Sequence, residues 1–406
     1  MKRGIQTGLA SVTLLAVLSA CSNTAPTPST GSSNAEGGES ITLWTNFQVE
    51  AELLQRYADQ WAEATGNEAT IVHNSIELQQ FAQATNSAGG PDGIFGIAND
   101  QLASFVTANL AAEVPDDFYN DADYVDAAVQ ASYIDGKRFG VPIAVETITL
   151  FYNTDKVTAP PATWDELLQT ARDSGGIKFD ATSIYYDLGF IRAFDSYIFN
   201  WADNAYDVDD IGLGNDGAVQ AYRYIQQMVG EGFLSADITF DIARSAFENG
   251  ETAFYIGGPW DVDAFSSAGV NFAVAPMPTL NDKPFITPVG TQVGFVSAKS
   301  AKQETVWDFY QYLINEAAVE LYEVGGRIPA KLSVQELIDR DEATESFVAQ
   351  IADSEPLPSV AELGQLWGLY ADNMRLMFGG TITPEEAAQY IEAQLQEAIE
   401  LMRSGV

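Results

Sequence analysis

Residues 139–153 form a long apolar and β-branched run broken by a single carboxylate, Glu146. Just ahead of it, Asp135-Gly136 is a hairpin-turn dipeptide. Two strands are predicted, 139–145 and 147–153, continuing in one direction with Glu146 between them. Burying an isolated carboxylate is very costly, so Glu146 must be solvated, paired or aimed at a ligand. The pattern predicts a strand that leaves one lobe and enters another, with Glu146 at the mouth of the cleft between them.

The flanks agree with a two-part α/β chain. Residues 41–45 read as a buried strand, and 51–65 as a helix with Leu53, Leu54, Tyr57 and Trp61 at helical spacing and Gly66 as its stop. A strand at 69–74, a helix at 77–86 and a turn into a strand near 89–96 follow. Asn99-Asp100 is the expected N-cap of a helix over 101–108. Strands alternating with helices predict a mainly parallel sheet whose loops gather at the strand C-terminal ends. Beyond the central run, Thr163 and Glu166 form a capping box. Residues 185–201 look helical, 203–210 an acidic loop, and 251–259 a strand ending in Gly257-Gly258-Pro259-Trp260. Residues 288–292 precede a predicted strand at 293–298. The last third is helical, with Trp367 inside one helix and Thr383-Pro384 starting the final one. At 406 residues the chain is too long for one ordinary core.

The N-terminus reads as a targeting signal. Lys2-Arg3, the short apolar stretch 8–18 and Leu18-Ser19-Ala20-Cys21 resemble a bacterial lipoprotein signal, which makes Cys21 the lipidated first residue of the mature chain. Residues 22–40, rich in Ser, Thr, Pro and Gly, are expected to act as a flexible tether. The expected location is therefore outside the cytoplasmic membrane, anchored to its outer face. Loss of Lys2 and Arg3 takes the net charge from −38 to −40. So negative a surface repels nucleic acid and polyanions and leaves neutral or cationic ligands open.

Composition also removes most chemistry. His73 is the only histidine and Cys21 the only cysteine, which argues against metal, haem and thiol sites. No G-x-S-x-G elbow or P-loop occurs and no G-x-G-x-x-G follows a predicted strand, so no cofactor is expected. A carboxylate pair can always be drawn among 57 acidic residues, so it carries no weight for a glycosidase. The placement of aromatics is more informative. Trp44, Tyr185, Tyr186, Trp260 and Trp367 fall at predicted element edges facing a crevice, beside Asp100 and Glu146. Flat aromatic faces suit the C–H faces of sugar rings, and carboxylates and amides suit their hydroxyls.

These motifs, in this order, resemble the extracellular solute-binding proteins of ABC importers, in the maltose/maltodextrin-binding branch. The resemblance rests on residues 41–46 (ITLWTN), 90–95 (GPDGIF), 135–146 (DGKRFGVPIAVE), 151–155 (FYNTD), 246–253 (AFENGETA) and 257–260 (GGPW). It implies a two-lobed α/β fold of the periplasmic-binding-protein type (type II), with a hinge and a ligand cleft between the lobes. One lobe would hold 41–144 with 291–328, the other 147–287 with 332–404. It implies that Trp44, Asn46 and Gln48 lie at the first binding loop. Asp100 and Glu146 would bond sugar hydroxyls, and Tyr185, Tyr186, Trp260 and Trp367 would form the aromatic platform. The implied partners are a maltodextrin-like oligosaccharide, the ABC permease and the membrane through Cys21, with the protein a monomer and not an enzyme. The chain departs from the branch where an acidic–basic pair becomes Gln48-Val49, an arginine becomes Gln101, and Gly368 and Ala371 stand behind Trp367. Alternatives are another neutral sugar, a cationic solute such as a polyamine held by carboxylates over aromatic faces, and a secreted glycosidase.

Overall fold

The expected helix at 51–65 is present with those bounds, and it lays Leu53, Leu54, Tyr57, Ala58 and Trp61 into the core before Gly66 stops it in the left-handed region. The computed structural model describes residues 38–404 apart from 75 and 88. The signal segment, Cys21 and the tether up to residue 37 lie outside the described residues.

In chain order the first part holds β1 (Ser40–Thr45), α1 (Ala51–Thr65), β2 (Glu68–His73), α2 (Leu78–Ala84), β3 (Gly93–Ala98) and α3 (Asn99–Thr107). Then come α4 (Asp126–Gln130), β4 (Tyr133–Ile134), β5 (Lys137–Arg138), β6 (Val141–Thr147) and β7 (Thr149–Asn153). The middle comprises α5 (Trp164–Ser174), β8 (Ile177–Lys178), α6 (Ile184–Ala193), β9 (Phe199–Ala202), β10 (Ala205–Ile211), α7 (Asp216–Gly230) and α8 (Phe240–Glu248). It continues with β11 (Phe254–Gly257), α9 (Val262–Ala268), β12 (Phe272–Ala275) and β13 (Thr287–Val296). The remainder is α10 (Gln303–Glu316), α11 (Ala318–Gly325), β14 (Ile328–Pro329), α12 (Leu332–Gln335), α13 (Glu342–Ile351), β15 (Ser354–Pro356), α14 (Leu363–Phe378) and α15 (Pro384–Ser404).

Two sheets organise the fold into two lobes. The larger runs β14-β6-β13-β3-β1-β2, with β15 also on β13; the smaller runs β12-β7-β11-β8. β1 is parallel to β2 and β3, whereas β13 is antiparallel to β3 and β6. The central run is the link. β6 pairs in the larger sheet and β7 in the smaller, and only the buried Ile148 separates them. The chain therefore changes sheet at Ile148, and Glu146 lies inside β6 rather than between the strands. The hairpin before it is as expected: Asp135 (φ 50°) and Gly136 (φ 77°) both turn left-handed, the geometry of a type I′ turn. The cap predicted at Thr163 forms, and a second one forms at Thr383, where the final helix was expected to start. Glu166 N–H donates to Thr163 Oγ1 at 3.2 Å, and Glu386 N–H donates to Thr383 Oγ1 at 3.2 Å.

Three expectations are corrected. The acidic stretch 203–210 is no loop but the turn and second strand of the β9–β10 hairpin, with Asp203 and Asn204 at φ 53° and 59°. Tyr206 and Val208 pack toward the core while the acidic residues face out, and the acidity hid that alternation. The helix predicted to reach residue 201 ends at Ala193, because Asp195 turns left-handed (φ 61°) and starts the path into β9. The strand expected at 293–298 is the end of β13, a 10-residue strand from Thr287 whose partners are β6, β3 and β15.

Candidate functional site

Glu146 interrupts the otherwise buried β6, with its side chain 31% exposed. Its Oε1 accepts from Gln292 Nε2 on β13 at 3.5 Å, and its Oε2 lies 3.7 Å from Arg327 Nη1. Burial pushes its pKa up, opposed by the Arg327 charge and the Gln292 bond. Tyr185, in the first turn of α6, is half-buried within electrostatic reach of the same carboxylate. Its phenol is pushed up by burial first and then by the Glu146 charge. A helix that packs on the smaller sheet's core thus brings a phenol to a carboxylate of the larger sheet.

Arg327 ties this point to the first loop. Its Nε bonds Glu50 Oε1 at 2.7 Å, and its guanidinium lies over the Phe47 ring at 4.6 Å from the centroid. Glu50 is fully buried, and a Cβ at Gly325 would collide with its carboxylate, so that position requires glycine. Asn46 and Gln48 are exposed on either side of Phe47. Glu50, Gln292 and Arg327 were not found from the sequence. Only Arg327 left a signal there, an arginine set between Gly325-Gly326 and Ile328-Pro329 in a chain poor in basic residues.

Asp100 and Trp367 meet in a second part of the site. With Glu77, Gln101 and Ser104 they line a cleft of about 260 Å³ between α3 and the start of α14. Asp100 is exposed, yet the protein around it raises its pKa, while its own and the Gln101 backbone N–H groups pull it down. The helix begins at Asn99, so Asp100 does not cap it. Asn99 is instead a buried cross-link, accepting from Thr291 N–H at 3.1 Å and donating to Ser359 Oγ at 3.0 Å.

Trp260 stands on the short turn Pro259–Asp261 with 41% of its surface exposed. Its ring lies over Gly258, where a Cβ would strike it. The turn is held from below by the buried Asp261, which accepts from Tyr255 Oη at 3.0 Å and Gly258 N–H at 3.4 Å and pairs with Arg244 at 3.2 Å. Tyr186 is buried, its phenol pushed up by burial and then by the Asp261 charge. The consecutive tyrosines of α6 therefore join the Glu146 cluster to the Trp260 turn. Trp44 differs from expectation. It is 8% exposed and meets Phe81 edge-on at 5.7 Å, so in this structure it is core rather than an open platform. The cause is its side of β1, which α2 covers.

What the arrangement offers is hydrogen-bond acceptors and half-exposed aromatic faces. Among the described residues no group of three or more His, Cys, Asp or Glu could hold a metal ion, and no helix is long and apolar enough to cross a membrane.

Comparison with known proteins gives a consistent picture. Residues 56–347 match the family described as bacterial extracellular solute-binding protein. The galactooligosaccharide-binding protein of Bacillus subtilis (strain 168) is 31% identical over 332 residues, 78% of this chain and 79% of the relative. The maltodextrin-binding protein MdxE of the same organism is 26% identical over 374 residues, 86% of each. Among solved structures, the maltose-maltodextrin binding protein of Alicyclobacillus acidocaldarius is 29% identical with a TM-score of 0.76, covering 88% of this chain and 100% of that one. A cyclo/maltodextrin-binding protein complexed with maltotetraose is 25% identical with a TM-score of 0.85, covering 91% and 100%.

Proposed function

The chain belongs to the bacterial extracellular solute-binding protein family, and from that premise we infer that it captures a maltooligosaccharide-like sugar between its two lobes for an ABC importer. The observation that carries this reading is the approach of Tyr185 and Glu146, one from each side of the crossing, close enough for the carboxylate charge to act on the phenol, together with the exposed indole of Trp260. Sugar rings would lie on Trp260 and Trp367, with hydroxyls donating to Glu146 and Asp100 and further contacts from Asn46 and Gln48. A ligand touching both lobes binds the closed form better and shifts the population toward it. Moving that equilibrium from about 1:99 to about 99:1 takes roughly 5.5 kcal/mol of differential binding. Stacked rings and several hydroxyl bonds of about 1 kcal/mol net each are enough. The hinge lies at Ile148 and its antiparallel neighbour β13, with the lobes divided near residues 144–147, 287–291 and 328–332. Lipidation at Cys21 would hold the monomer at the membrane beside the permease, and no turnover of the sugar is expected.

A second ligand reading has its own support: the relative with 31% identity is a galactooligosaccharide-binding protein. The first-loop acidic–basic pair of the maltose branch is also replaced here by Gln48-Val49. Calorimetry with maltotriose, a galactooligosaccharide and spermidine separates the readings. Binding of either sugar supports an oligosaccharide receptor and ranks the two; binding of spermidine alone overturns it.

A further inference from the structure

A separate cavity of about 300 Å³ lies at the opposite end of α6 from Tyr185. Leu188 and Arg192, on the same face of α6 as Tyr185 by helical spacing, reach it, and so do the β9–β10 hairpin, α4 and β15. None of the cleft residues described above lines it.

Its walls are built rather than incidental. Trp201 and Tyr206 pack at 4.5 Å between centroids with a 56° tilt and form one apolar side. Gln130 Nε2 donates to Tyr206 Oη at 2.9 Å, fixing the phenol from the other lobe. Arg192 Nε lies 3.0 Å from Glu355 Oε2, and Asn200 adds an amide. Burial raises Glu355 above the ordinary carboxylate range while the Arg192 charge opposes it.

The chemistry selects a ligand class. Arg192 and Glu355 cancel, so the cavity offers no net charge to hold an ion, yet their remaining donor and acceptor capacity and the two amides suit hydroxyls. The aromatic side suits a ring with C–H faces. Ligand pockets run from about 300 to about 1,000 Å³, so this one has room for a single ring and not for an oligosaccharide. We propose that this cavity is a second binding site, for one neutral polyhydroxylated ring of monosaccharide type, distinct from the oligosaccharide cleft.

The test is titration of the ligand-free full chain with D-glucose and with D-galactose, followed by calorimetry and saturation-transfer NMR. Saturable binding of at least one is expected, weakened about tenfold by Trp201→Ala through loss of the stacking face. It should be weakened also by Gln130→Ala and retained in Trp260→Ala. Gln130 is half-buried at the surface, so its variant decides the matter if Trp201→Ala does not fold. No saturable binding of either sugar overturns the proposal. So does binding that survives Gln130→Ala but is lost in Trp260→Ala, which would place the monosaccharide in the cleft.

Discussion

Glu50 and Arg327, 277 residues apart in the chain, form an ion pair at 2.7 Å beneath the first loop, and the same guanidinium reaches Glu146 at 3.7 Å. The carboxylate of Glu50 is wholly buried while Arg327 keeps a quarter of its side chain in solvent. Arg327→Met therefore strands a buried charge. We expect a loss of about 2–3 kcal/mol, below the range for a fully buried pair because one partner is partly solvated. Adding Glu50→Gln should restore part of it. Urea unfolding of the single and double variants measures this.

Trp260 is expected to matter for binding and hardly at all for stability. Its ring is 41% exposed and rests on Gly258. Trp260→Ala should weaken oligosaccharide affinity by about tenfold with little change in melting temperature. Unfolding of the ligand-free variant would mean that the indole is core.

Affinity should fall on acidification. Burial for Glu146, and the low-dielectric protein around Asp100, hold both carboxyls above their ordinary ranges, so they take up protons while freely solvated carboxylates are still ionised. A protonated carboxyl accepts hydroxyl bonds poorly, and the sugar then binds less well as pH drops through those raised values. Calorimetry across pH should show the slope reduced in Glu146→Gln and again in Asp100→Asn. An unchanged slope in both would remove them from the binding contacts.

Asp187 is buried with Tyr370, whose hydroxyl donates to its Oδ2 at 2.9 Å, and burial raises its pKa well above the usual value. A raised folded pKa means that the folded state binds the proton more tightly than the unfolded state. Its contribution is then greatest below the unfolded pKa and declines as pH rises toward the folded value. Asp187→Asn should flatten that part of the stability–pH profile, read by thermal unfolding between acidic and neutral pH.

What the sequence disclosed was local. The crossing near Glu146 showed in an apolar run with one charge, the hairpin in Asp135-Gly136, and two helix starts in Thr163 and Thr383. What it hid was long-range. Glu50, Gln292 and Arg327 come together only through the pairing of β13 and β14 with β6. The β9–β10 hairpin was concealed because acidic residues on its outer face masked the alternation of Tyr206 and Val208. Trp44 was misplaced because strand periodicity gives two faces and not which of them a later helix covers.

A crystal structure of the protein with maltotriose, or with a galactooligosaccharide if that binds more tightly, tests the central claim most directly. The predicted result has sugar rings stacked on Trp260 and Trp367, a hydroxyl on Glu146, and the two sheets drawn toward each other about Ile148. A sugar bound elsewhere, with both indoles untouched and the sheets unmoved, would contradict it.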